Sequence, residues 1–219
     1  LISMAKFDSN KTAKLHQELH SHLPSESALR VKALESLLVK KGLVDPRTID
    51  AWIEAYSEEI GPKRGARIIA RSWLDSDFRQ RLLTDASAAI DEMGFLGNAT
   101  AHLKVVENTQ STHNLVVCTL CSCYPFSILG VAPAWYKAAA YRSRAVRDPR
   151  GVLSEFGINL ESDCQINVWD STAELRYLVI PERPAGTENF DEDELTEIVT
   201  RNSMIGTDRD LASVRKGDI

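Results

Sequence analysis

The stretch Asn114-Leu115-Val116-Val117-Cys118-Thr119-Leu120-Cys121-Ser122-Cys123-Tyr124-Pro125 passes from a short apolar run into a cluster holding three of the chain's four cysteines. Asn114 to Val117 reads as a β-strand, so the thiols leave a rigid element. A C-x-x-C-x-C cluster offers three thiolates from one turn of backbone, and thiolates are the ligands that soft and borderline transition metals prefer. The pattern reads as a metal site. If a metal takes the sulfurs of Cys121 and Cys123 in one plane, the peptide nitrogens of Ser122 and Cys123 fall into that plane. They close one six-membered and two five-membered chelate rings. Cys118 then supplies a third, axial sulfur, and the sixth position of an octahedron stays open for water or substrate. Five anionic donors that include deprotonated amides suit a trivalent cobalt or iron ion, whereas zinc prefers a closed tetrahedron.

The spacing leaves other readings open. C-x-x-C is also a redox pair or half of a zinc site, and Cys164 or one of the five histidines would complete a tetrahedron. A disulfide is disfavoured, because Cys121 and Cys123 are too close in sequence to pair easily and a secreted framework would show more cysteines.

Working outward from the cluster, Leu103 to Val106 forms a second strand candidate upstream. Downstream, Trp135, Tyr136, Tyr141 and Arg142 fall on a helix and turn, with Trp135 and Tyr136 assigned to a wall behind the site. Residues 150–157 read as a short helix stopped by Gly157. Strands are expected over 165–170 and 174–180. The acidic run Asp191-Glu192-Asp193-Glu194 opens a last helix. Towards the N-terminus, Leu29, Val31, Ala33, Leu34, Leu37 and Leu38 make an apolar helical stripe that Lys40-Lys41-Gly42 ends. A second helix follows Asp45-Pro46 and breaks at Gly61-Pro62, a third spans about 63–73, and a fourth about 77–92. Residues 1–27 are polar and carry His16, His20 and His22, which read as a surface tail rather than a metal site, with Met4 as the native start. The expected organisation is α+β: a tail over 1–27, a helical arm over 28–94 packing on a partner subunit, and a metal-binding domain over 95–219. A self-contained helical bundle is the alternative for the arm.

Composition narrows the function classes. A net charge of −5 argues against a nucleic-acid partner, and no apolar run approaches a membrane span. The start lacks the charged and apolar regions of a signal peptide, so a cytoplasmic location is expected.

The run Val117-Cys118-Thr119-Leu120-Cys121-Ser122-Cys123-Tyr124-Pro125, with Pro133-Ala134-Trp135-Tyr136-Lys137 and Tyr141-Arg142-Ser143-Arg144, resembles the alpha subunit of nitrile hydratase. The likeness extends through Ala28-Leu29-Arg30-Val31-Lys32-Ala33-Leu34-Glu35, Asp148-Pro149-Arg150-Gly151-Val152-Leu153, Ala173-Glu174-Leu175-Arg176-Tyr177, Pro181 to Glu188 and Ser203-Met204-Ile205-Gly206. It implies a layered α-β-β-α domain and a hydro-lyase that adds water to a nitrile to give an amide. It further implies one trivalent metal per chain, held by Cys118, Cys121, Cys123 and the backbone of Ser122, with Cys121 oxidised to sulfinate and Cys123 to sulfenate. Thr119 and Tyr124 match cobalt-type members, with iron as the alternative. The resemblance implies a beta subunit in an αβ or α2β2 assembly, whose arginines and tyrosine complete the pocket, and an activator protein that loads the metal.

This sequence departs from the family pattern at Phe126-Ser127, where Trp-Pro is usual, at Ala99, where a glutamine is common, and at Gln110 in place of proline. Phe126, Ala99 and Trp135 are the candidate substrate-pocket residues. Loss of an indole at 126 and of a polar hydrogen-bonding side chain at 99 together lead to the expectation of bulkier or aromatic nitriles. Two rivals remain: the gamma subunit of thiocyanate hydrolase, disfavoured by Phe126 where a basic residue would suit an anion, and a structural zinc protein using Cys164 as fourth ligand.

Overall fold

The computed structural model describes residues 26–54, 61–95, 101–209 and 211. Ala99 and the three histidines of the expected tail lie outside the described residues. The chain divides into two compact units, Leu1–Trp52 and Ile53–Ile219.

In the first unit, helix α1 (Glu26–Lys40) buries none of its residues, and its apolar stripe of Leu29, Val31, Leu34 and Leu37 stands exposed. The helix stops at Gly42, whose φ of +68° is a left-handed conformation that glycine adopts without steric cost. The amide of Leu43 bonds back to the Leu38 carbonyl at 3.0 Å and that of Gly42 to Val39 at 2.9 Å, which satisfies the last carbonyls. Helix α2 (Pro46–Glu54) begins on proline, with Asp45 accepting from the Arg47 amide at 2.9 Å.

The second unit holds the core. Helix α3 (Pro62–Leu74) buries Ala66, Ile68, Ile69 and Ala70. The single helix expected over 77–92 is instead two, α4 (Ser76–Thr84) and α5 (Ala86–Asp91). The break falls at Asp85, which leaves helical geometry and turns its carboxylate onto the Ala88 amide, so it caps a new helix rather than continuing the old one. These helices share one hydrophobic core with the strands.

Four strands follow among the described residues: β1 (His102–Glu107), β2 (Thr112–Val117), β3 (Gln165–Asp170) and β4 (Leu175–Ile180). Strands β1 and β2 are joined by a tight turn with an antiparallel bridge between Thr109 and Thr112, yet they do not form a ladder with each other. Instead β1 pairs in parallel with β4, His102 opposite Leu175, and β2 pairs in parallel with β3, Thr112 opposite Gln165. Two small parallel sheets result. Helices α4 and α5 cover β1 from one side. Short helices α6 (Phe126–Leu129), α7 (Ala134–Lys137), α8 (Ala139–Ala145) and α9 (Pro149–Glu155) follow the cysteines, and α8 and α9 pack on β2 and β3. This is the layered α-β-β-α arrangement. Helix α10 (Glu192–Ile198) packs on α3.

Candidate metal centre

The cysteine loop starts where β2 ends. The carbonyl of Val117 still accepts the Ser171 amide at 2.7 Å, one residue past the end of β3, so the ladder runs up to the first thiol. Cys118 is buried, Cys123 partly so and Cys121 exposed. Their sulfurs converge: Cys118 Sγ lies 3.3 Å from Cys121 Sγ, which lies 3.1 Å from Cys123 Sγ. The Cys121 amide also donates to Cys118 Sγ at 3.2 Å. All three are free thiols, and the ligand atoms lie within 4.8 Å of one another. Among the described residues no other group of three or more His, Cys, Asp or Glu gathers in this way.

Several groups hold the loop. The Asp170 carboxylate, at the end of β3, accepts from the Thr119 amide at 2.9 Å and from its hydroxyl at 2.6 Å. The register explains this contact, because β2 and β3 end together with Val117 opposite Asp170. Arg142 reaches the Thr119 carbonyl at 3.4 Å. The Tyr136 phenol donates to the Cys123 carbonyl at 2.8 Å, and that of Tyr141 to the Val116 carbonyl at 2.6 Å.

Electrostatics divide the thiols. Hydrogen bonds from the Cys123 and Cys118 thiols pull the Cys121 thiol down to about 7. Burial, then the bond to Cys121, pushes that of Cys123 up to about 12, against the opposing pull of Arg176. In the metal-free chain Cys121 is therefore the first of this pair to ionise. Nη1 of Arg176 and Nε of Arg142 are buried without a hydrogen-bond partner. Buried donors of this kind call for an acceptor. Converging thiols flanked by unsatisfied cationic donors fit an anionic metal–thiolate centre better than they fit a neutral core.

The other expected residues fall in different surroundings. Ser122 is exposed between the outer thiols. Phe126 opens α6 and is 44% exposed. The Trp135 ring meets Tyr141 and Phe156 edge-on at 4.9 and 4.8 Å, as part of the aromatic layer behind the loop. Cys164 is buried immediately before β3, at the end of the β2–β3 pair away from the cluster. About six residues of strand, at about 3.3 Å each, separate it from Cys118. This rules out the four-cysteine zinc site.

Sequence reading did not single out Asp170 or Arg176. An aspartate closing an apolar strand and an arginine inside one, in Leu175-Arg176-Tyr177, were the available signals.

The family model described as "Nitrile hydratase, alpha chain" matches residues 25–208. The alpha subunit of a low-molecular-weight cobalt-containing nitrile hydratase from Rhodococcus rhodochrous is 55% identical over 194 residues, 87% of this chain and 94% of that subunit. The gamma subunit of thiocyanate hydrolase from Thiobacillus thioparus is 40% identical, covering 80% of this chain and 76% of that one. Among solved structures, a double mutant of the Fe-type nitrile hydratase from Comamonas testosteroni Ni1 superposes with a TM-score of 0.76 at 40% identity, covering 85% of this chain and 92% of that chain.

Proposed function

Because the chain belongs to the nitrile hydratase alpha-chain family, we propose that it is the metal-carrying subunit of a hydro-lyase that converts nitriles to amides at a trivalent cobalt centre. The observation that carries this reading is the convergence of the Cys118, Cys121 and Cys123 sulfurs within 4.8 Å. Those sulfurs, with the amide nitrogens of Ser122 and Cys123, would hold the ion. Cobalt is supported by Thr119 and Tyr124 and by the cobalt-containing relative.

The reaction adds the oxygen of water to the nitrile carbon and both of its protons to nitrogen, giving the amide with no net oxidation or reduction. A trivalent ion at the site supplies Lewis acidity, which polarises a nitrile and lowers the pKa of water. The chain's own residues set the approach. Cys118 is buried beneath the loop while Cys121 faces solvent, so the substrate arrives on the Cys121 and Cys123 side. Oxidation of Cys121 to sulfinate and Cys123 to sulfenate by an external oxidant such as dioxygen would place oxygens on that face, and the Arg176 charge favours an anion on Cys123. Asp170 keeps Thr119 from rotating and so keeps Cys118 under the loop.

A beta subunit covers the site in this reading. Leu120, in the middle of the loop, is 88% exposed, an apolar side chain that a partner would bury. Phe126, smaller than the tryptophan usual at this position, leaves more room for bulky nitriles, and its uncharged ring favours a nitrile over thiocyanate.

Coexpression with a beta subunit in cobalt medium tests the proposal. Amide production, about one cobalt per chain, and a Cys118–Cys123 peptide bearing two oxygens on Cys121 and one on Cys123 are expected. Zinc with unmodified thiols and no amide would overturn it, and thiocyanate turnover without nitrile turnover would assign the rival chemistry. A higher rate on acrylonitrile than on a bicyclic aromatic nitrile would sink the pocket assignment.

A further inference from the structure

The loop carrying the thiols is held at both ends by phenols from a single aromatic layer. At the entry, the Tyr141 hydroxyl donates to the Val116 carbonyl at 2.6 Å. Successive carbonyls of a strand point to opposite sides. That of Val117 points toward the β3 side, to Ser171, so that of Val116 faces the open edge of β2, where it needs a donor from outside the sheet. At the exit, the Tyr136 hydroxyl donates to the Cys123 carbonyl at 2.8 Å. Tyr136 is fully buried and Tyr141 nearly so. Burial raises both phenols' pKa, so both remain donors. The two rings lie 5.9 Å apart, and Trp135 packs against each, at 6.0 Å from Tyr136 and 4.9 Å from Tyr141. The two anchor points are thus tied to one rigid layer on α7 and α8.

Such a tie has a use at this site. Three sulfurs held 3.1 and 3.3 Å apart on one short loop crowd one another. A flexible loop would respond by splaying. Resistance to that opening has to come from groups outside the loop.

We propose that Tyr136 and Tyr141 act as positioning residues, a two-point phenol brace that holds residues 117–123 in their converged form before metal enters. The inference rests on the reading of this loop as the metal site. The Tyr136 bond is the more direct of the two, because it fixes the backbone of Cys123 itself.

The test uses the full-length reduced chain and its Tyr136→Phe variant, which removes one oxygen and keeps the ring. Titration with cobalt(II) chloride is followed through the thiolate-to-cobalt charge-transfer absorption. The variant is expected to bind about 10-fold more weakly, the scale on which outer partners of metal ligands act. Affinity equal to that of the parent chain would overturn the brace, as would a change in thermal unfolding midpoint with affinity unchanged, since that is what a purely structural role produces. Tyr141→Phe is the second variant, with the same expected direction. A separate measurement needs no metal: iodoacetamide should alkylate Cys123 faster in the metal-free Tyr136→Phe chain than in the parent, and equal rates would refute the proposal. If the parent chain binds no cobalt(II), the metal-site reading falls, and the alkylation comparison still decides whether the brace exists.

Discussion

At the scale of single residues, the groups that touch the loop or the strand ends couple the core to the metal centre. Asp170 accepts two hydrogen bonds from Thr119, at a position exposed enough for water to compete. Asp170→Ala is therefore expected to cost only about 1 kcal/mol in urea unfolding, while lowering the cobalt content of the coexpressed protein. His113 is the residue that should make stability depend on pH. Its ring is buried, with Nε2 2.8 Å from the Gly206 carbonyl and Nδ1 3.5 Å from Asn108 Nδ2. Nε2 therefore carries the proton. Burial holds its pKa below 6.5, with Arg209 adding to the effect, while the Gly206 bond and Glu182 oppose it. With the folded pKa below the unfolded one, the unfolded chain takes up the proton first as pH falls. The stabilisation is complete above about 6.5 and is lost on going below it. Urea unfolding at about pH 7 and about pH 5 should show a smaller difference for His113→Gln than for the parent chain; identical pH dependence would contradict this assignment.

At the scale of elements, local chemistry accounts for most boundaries. Asp191 and Glu194 form a capping box at the start of α10, each side chain accepting from the other's backbone amide at 2.8 and 3.1 Å. Asp191→Ala should destabilise by about 1 kcal/mol, read from the denaturation midpoint. Gly206 is the position where an element meets another too closely for any side chain. Its φ is +89°, and an added Cβ would stand 1.9 Å from the Asn114 carbonyl oxygen. Gly206→Ala must push the turn after the 3-10 helix Ser203–Ile205 off β2, and a loss of about 3 kcal/mol or more is expected. The helices ending at Gly42 and Gly157, and the strands over 165–170 and 175–180, were all readable from caps, glycine stops and apolar runs. The split at Asp85 was not, because Phe78, Leu82 and Ile90 keep a helical spacing across it. What interrupts the helix is a side chain competing for backbone amides, which periodicity does not register.

At the scale of the molecule, the second unit contains the core, the cysteine loop and the groups that hold it, whereas α1 in the first unit presents an uncovered apolar face. A chain lacking residues 1–52 should keep cooperative thermal unfolding near the parent midpoint. It should lose co-purification with the beta subunit; retained pairing would show that the apolar face of α1 serves something else. No described helix is long and apolar enough to cross a membrane.

The sequence by itself determined the three-thiol cluster and the ring sizes of the proposed chelate, because both follow from covalent connectivity alone. It determined most helix ends as well, since caps and glycine stops act within a few residues. Tertiary structure decided the pairing of strands. β1 is tethered to β2 by a tight turn, yet each joins a strand more than fifty residues away, β1 with β4 and β2 with β3. It also decided which residues surround the thiols: Asp170 reaches Thr119 across 51 positions, and Arg176 arrives from β4. Those contacts depend on register and on which apolar faces are buried together, quantities set by the whole core rather than by any local run of residues.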